Sequence, residues 1–133
     1  MDRTDQIKNI AIQLISEGNL NIVDTYFSAD YIAHAGEKTY NGHKFIMKFS
    51  KQLRKAIPDI KIVNIEILSQ TEEMITWQRK LSGTHKSALK GIPASNKKIK
   101  WHEMLVSRFH DDKIIEEWII SDLAFQLMLK LKH

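Results

Sequence analysis

The stretch KIIEEWIISD, residues 113–122, sets acids among bulky apolar side chains. Read as a strand, it turns Ile114, Glu116, Trp118, Ile120 and Asp122 to one face, and Ile115, Glu117, Ile119 and Ser121 to the other. Acids on a face that buries isoleucine and tryptophan need a reason to be there. The same alternation over residues 73–85 groups Ile75, Trp77, Arg79, Leu81, Gly83 and His85, and over 98–109 it groups Ile99, Trp101, Glu103, Leu105, Ser107 and Phe109. On all these strands the more apolar face carries ionisable groups: Arg79, His85, Glu103, Glu116 and Asp122. An unpaired buried charge costs several kcal/mol, roughly. Either these groups pair as structural ion pairs, or the sheet curls around a cavity in which they meet a ligand.

Each residue has a simple structural reading beside the functional one. Arg79 with Glu103 or Glu116 is a cross-strand ion pair. His85 is a structural histidine at a strand end, and Trp77, Trp101 and Trp118 are core or wall aromatics. His34 sits in a short mixed segment open to the surface, and Asp122 can cap the helix that follows. Their coincidence on one face is what makes them a candidate site.

Other chemistries are excluded by what the sequence lacks. With no cysteine there is no disulfide, thiolate catalysis or cysteine-ligated zinc. There is no glycine-rich phosphate loop, GxSxG or HExxH. Six histidines, at 34, 43, 85, 102, 110 and 133, show no ligand spacing on one helix, so a metal is not expected. The net charge of +4 comes from lysines without interleaved exposed aromatics, and reads as a solvated rim rather than a nucleic-acid surface. No apolar run has the length of a membrane span or signal peptide, so a cytoplasmic protein without membrane attachment is expected.

The elements that must hold these residues follow from period and punctuation. Ile7, Ile10, Ala11, Leu14 and Ile15 predict a helix over 5–17 stopped by Gly18, and Asn19 opens a second, short helix to about Phe27. DYIAHAG predicts a brief strand or extended turn carrying His34. Phe45, Ile46, Phe49, Leu53 and Ala56 predict a third helix over 43–56, ended before Pro58. From Asp59 the period becomes two. In DIKIVNIEILSQ it sets Ile60, Ile62, Asn64, Glu66 and Leu68 against Lys61, Val63, Ile65 and Ile67. Strands over 73–85, 98–110 and 113–122 follow, the last two joined by the turn HDDK, before an amphipathic tail, LAFQLMLKL. Helices first and a meander after them predict one α+β domain over 1–133, with helices packed on one face of a curved antiparallel sheet.

Four stretches carry a resemblance: DYIAHAG (30–36), AIPDIKI (56–62), SGTHKSALKGIPASNKK (82–98) and HDDKIIEEWIISDLAFQLMLKL (110–131). In their order and spacing the chain resembles the SnoaL-like polyketide cyclases, or ester cyclases, of the nuclear transport factor 2-like superfamily. The resemblance implies a cone: a strongly bent antiparallel sheet closed by three N-terminal helices around a pocket. It implies cofactor-independent acid/base chemistry, with Asp122 as general acid/base and His34 and His85 as further catalytic residues. Arg79 and Trp118 are implied to line the substrate cavity, and the alternation of the strands adds Trp101, Glu103 and Trp77 as substrate-binding candidates. The substrate implied is a small apolar carbonyl compound. Rival readings are a non-catalytic binding module and an epoxide hydrolase in which Glu103 or Glu116 supplies a second acid. A homodimer through the convex sheet face is also implied, using Met104, Val106 and Ile119 between His102 and Arg108. Asn96 stands where the family loop usually has glycine, and asparagine tolerates the left-handed backbone that such a loop needs.

Overall fold

The computed structural model describes residues 2–132. Helix α1 (Arg3–Ala11) starts where the Asp2 carboxylate accepts the Asp5 N–H at 2.9 Å, and it runs on as a wider π-helical stretch, Ile12–Ser16. Its open C-terminal carbonyls are satisfied from another helix. Ser50 donates to the Leu14 carbonyl at 2.8 Å, and Arg54 Nη1 donates to those of Ile15 and Ser16, both at 2.7 Å. Gly18, at φ 67°, lets the chain turn away there, and a Cβ on it would lie 2.4 Å from Arg54 Nε. Helix α2 (Ile22–Tyr26) leads into β1 (Phe27–Ala35), which forms a hairpin with β2 (Lys38–Asn41). Helix α3 (His43–Ala56) then lays Ile46, Ser50, Leu53 and Ala56 on the core.

The remaining strands are β3 (Lys61–Gln70), β4 (Met74–Thr84), β5 (Lys98–His110) and β6 (Lys113–Ser121), and after them α4 (Leu123–Leu129) runs into a 3-10 turn, Lys130–Lys132. They form one sheet of six strands in the order β2-β1-β6-β5-β4-β3. All neighbours are antiparallel except β1 and β6, which run parallel, so the sheet is mixed where the sequence predicts a purely antiparallel one. The hairpin strand β2 is the other departure. Its residues are mostly exposed, so no alternation marks it.

One face of the sheet is covered by the N-terminal helices, and the core lies between them: Ile7, Ile15, Tyr31, Leu53, Trp77, Leu81, Trp101 and Leu105 are all buried. Burying one such aliphatic side chain is worth about 1.5–3 kcal/mol. In β4 and β5 the period-two reading holds along the strand: Ile75, Trp77, Arg79, Leu81 and Gly83 are buried, as are Ile99, Trp101, Glu103, Leu105, Ser107 and Phe109. Gly83 is needed at a crossing of chains, because a Cβ there would lie 2.2 Å from Ile57 Cγ2. The edge strand β3 departs from simple alternation. Register shifts between Ile62 and Asn64, and between Ile67 and Ser69, bring Ile62, Ile65 and Ile67 together against the core.

Candidate functional site

β6 carries a similar irregularity, and it decides the site. Phe109 pairs with Ile114 and Arg108 pairs with Glu116, so Ile115 is an extra residue in the ladder. Beyond this bulge every side chain is turned over relative to uninterrupted alternation. Ile114 stays inside, but Glu117, Ile119 and Ser121 take the concave face, and Glu116, Trp118 and Ile120 take the convex one.

The concave face holds a pocket of about 920 Å³. Its walls come from α3 (Phe45, Phe49, Leu53), the β1–β2 hairpin (Ala35, Tyr40), the segment after β4 (Ala88, Leu89) and the end of β6 (Ile119, Leu123). Glu103 is the carboxylate of its lining. Phe45, Phe49 and Ile119 also bound a smaller inner chamber of about 40 Å³, where Tyr31, Trp77, Arg79 and Glu117 project among aliphatic side chains.

Two carboxylates are thus buried under the sheet, and each is held differently. Arg79 and Glu103 face each other across β4 and β5, with Nη2 at 2.6 Å and Nε at 2.8 Å from Oε1, while Trp101 Nε1 reaches Oε2 at 3.3 Å. Among the described residues no cation is bonded to Glu117. Its Oε1 accepts from the Tyr31 hydroxyl at 2.8 Å, and its Oε2 accepts from Ser107, whose oxygen accepts in turn from Trp77 Nε1 at 3.0 Å. Burial raises the pKa of Glu117, against the opposing pull of the Ser107 and Tyr31 hydrogen bonds and the Arg79 charge. The same burial, with the Glu117 charge adding to it, pushes the Tyr31 phenol well above its ordinary value. The interior therefore holds one ion-paired carboxylate and one whose ionised form is disfavoured. Such a group is a stronger base when it is ionised than an ordinary carboxylate, and holds its proton more firmly when it is not.

Of the eight residues that the sequence singles out, the structure brings Arg79, Glu103, Trp77 and Trp101 together on the concave side. It does not bring in His34 or Trp118. On β1, Tyr31 and Ala33 point inward, so His34 points out, where its Nε2 lies 2.7 Å from Glu116 Oε2 and its ring stacks on Trp118 at 5.0 Å. Arg108 completes this convex cluster, with Nε 3.2 Å from Glu116 Oε1 and its guanidinium 5.6 Å from the Trp118 ring centre. Asp122 is also outside the pocket lining. Its Oδ1 accepts the backbone N–H of His102 at 2.8 Å and its Oδ2 accepts from Gln126 at 3.2 Å, so it ties the start of α4 to β5. The expected bond to the backbone of the next turn is not formed. His85 is buried under the segment that follows β4, near the Ser87 backbone, but neither ring nitrogen has a hydrogen-bond partner of normal geometry.

Glu117 is the residue that the sequence reading placed on the wrong side. The run IIEEWII gives either face isoleucine and one glutamate, so its alternation does not choose between them. The signal for a bulge is weak: a doublet of β-branched residues, Ile114 and Ile115, just after the turn. Among the described residues no cluster of His, Asp and Glu has the arrangement of a metal site, and His133 lies outside them.

A bent sheet over helices, with an apolar pocket, buried acids and a guanidinium, has the form in which small-molecule sites are commonly built. The profile of the SnoaL-like polyketide cyclase family matches residues 6–128, and the chain belongs to that family. Solved structures share the cone fold of the nuclear transport factor 2-like superfamily. A proposed polyketide cyclase from Acidithiobacillus ferrooxidans superposes with a TM-score of 0.80 at 22% identity, covering 99% of this chain and 99% of that one. IdmH, a proposed polyketide cyclase from Streptomyces antibioticus, gives 0.78 at 19% identity over 100% of both chains. TsrD from Streptomyces laurentii gives 0.82 at 17% identity, over 96% of this chain and 97% of its own. No curated protein sequence matches the chain significantly. Among the described residues no helix is long and apolar enough to cross a membrane.

His85 generates a pH prediction. Burial lowers its pKa from the ordinary 6.5, so the unfolded chain binds the proton more readily than the fold does. The stability from keeping His85 neutral is complete above pH 6.5 and declines as the pH falls from there toward the lower folded value. Glu117 acts with the opposite sign, since its raised pKa lets acid stabilise the fold from its folded value down to 4.5. The comparison is therefore wild type against His85→Phe. Urea midpoints at pH 7.5 and 5.5 are expected to show a larger acid loss for wild type than for the variant. Equal losses would mean that His85 is solvated.

Proposed function

We propose that the protein is a cofactor-independent cyclase or isomerase, which moves a proton at the carbon next to a carbonyl of a small, largely apolar compound held in the pocket. The observation that carries this reading is Glu117: a buried carboxylate of raised pKa, beside a guanidinium in the small chamber that shares Phe45, Phe49 and Ile119 with the apolar pocket. Ionised Glu117 takes the α-proton, the electron pair moves into the enolate, and the Arg79 charge in the same chamber opposes the developing negative charge. The enolate carbon then attacks a second carbonyl, or is reprotonated at a different position by the acid so formed. Tyr31 and Ser107 hold the carboxylate in one orientation. In this reading the acid/base role that the family resemblance implies for Asp122 passes to Glu117, because the Asp122 carboxylate is engaged by His102 and Gln126.

Deuterium uptake at the α-carbon of α-tetralone in D2O, followed by NMR, tests this without knowledge of the natural substrate. Wild type is expected to accelerate the exchange and Glu117→Gln to lose about 10²–10⁴-fold of it, with tetralone binding retained. Exchange unchanged in Glu117→Gln would overturn the assignment. Tetralone binding without any exchange in wild type would favour the second reading, a non-catalytic binding module of the same fold. The fully bonded state of both interior carboxylates supports that alternative.

We further propose that a second copy of the chain covers the convex face. Met104 and Ile120 are register partners there and are 47% and 75% exposed, beside the pair Val106 and Trp118. Ile119, expected in this strip, pairs with the buried Leu105 and lines the pocket; Ile120, which also borders the pocket, pairs with Met104 and takes its place in the strip. Sedimentation at micromolar concentration is expected to give twice the chain mass of 15.5 kDa, and Ile120→Glu to give the single mass. A wild-type monomer would contradict this.

A further inference from the structure

From the charges at the pocket mouth, we infer that the ligand is a carboxylate: an apolar body that fills the pocket, with an anionic end at the rim formed by Lys55 and Lys90. The inference rests on the reading of this pocket as the ligand site. Both lysines line the pocket and are exposed, and neither has an acidic partner within ion-pair distance among the described residues. Glu103, the acid of the lining, is already matched by Arg79 at 2.6 Å. The pocket therefore presents two uncompensated ammonium groups beside largely apolar walls, and a carboxylate is the group that this arrangement attracts.

Lys55 alone has a simpler explanation, since it lies in the last turn of α3, where a cation complements the helix dipole. Lys90 does not. It occupies the first central position of a two-residue turn, closed by Leu89 N–H to Ile92 O at 3.0 Å and Ile92 N–H to Leu89 O at 2.8 Å. Lys90 and Gly91 have φ of 54° and 75°, the left-handed region in which both central residues of such a turn must lie. Glycine, asparagine or aspartate takes that position without strain, whereas a long side chain with a Cβ is disfavoured there. The turn itself does not call for lysine. What its position supplies is an ammonium group at the mouth of an apolar cavity, and strained backbone retained at a pocket rim is a mark of use.

Calorimetric titration with 2-naphthoate and its neutral analogue 2-naphthamide tests this. These have the same ring body and differ in the charge of the end group. Wild type is expected to bind naphthoate about tenfold more tightly than naphthamide, or about 1.4 kcal/mol, with the preference shrinking as salt is raised from 50 to 500 mM. In the double variant Lys55→Gln, Lys90→Gln, naphthoate affinity is expected to fall to that of the amide while amide affinity stays unchanged. Equal binding of the two probes by wild type overturns the inference and leaves the pocket reading intact. A preference that survives in the double variant overturns it too, since the rim lysines would not be its source. Failure of both probes to bind would overturn the pocket reading, and the inference with it.

Discussion

The register between β5 and β6 accommodates one extra residue at Ile115, and the direction of every later side chain in β6 depends on it. A strand has a period of two, so a single inserted residue exchanges its faces completely. Without the bulge, Glu116, Trp118 and Ile120 would enter the interior, and Glu117, Ile119 and Ser121 would meet water. With it, the interior gains a carboxylate bonded to Tyr31 and Ser107, and the pocket gains Ile119 as an apolar wall. The convex face gains a stacked cluster of His34, Trp118, Arg108 and Glu116.

The second constraint is electrostatic. In a low-dielectric interior, a charge must be paired or its pKa must move. Glu103 follows the first course through Arg79, and Glu117 follows the second. The two acids lie on neighbouring strands, close to the same guanidinium, and the difference in their bonding separates their behaviour. That separation leaves one carboxylate anchoring Arg79 and the other with its ionised form disfavoured. Phe45, Ile46 and Phe49 of α3 wall the chamber of Glu117 and supply the low-dielectric surroundings on which it depends.

Where the sequence alternates between chemically distinct residues, its reading carries over into the structure. In β4 and β5 the inward set is apolar and aromatic and the outward set is rich in Lys, Gln and His, so a shared inward face for Arg79 and Glu103 is legible in the sequence, while the choice of Glu103 over Glu116 as its partner is not. In β6 and β1 the contrast vanishes. IIEEWII offers similar faces in either phase, and DYIAHA sets Tyr31 and Ala33 against Ile32 and His34 with no clear polarity. The position of Asp122 after an apolar strand looked like an acid aimed inward, yet its bonds to His102 and Gln126 serve the junction with α4. Family likeness gave the fold and the order of elements, but the placement of individual acids is set by register, which a single sequence encodes only through side-chain contrast.

The central claim is that β6 turns Glu117 into a dry interior that disfavours its charge. Titration of the Glu117 side-chain carboxyl by carbon-13 NMR, with Glu117→Gln used to assign the resonance, measures this directly. The account predicts a midpoint above the ordinary 4.5 in the free protein. A midpoint at or below 4.5 would mean that water or Arg79 stabilises the charge, and Glu117 would then be a structural acid rather than the base of a reaction.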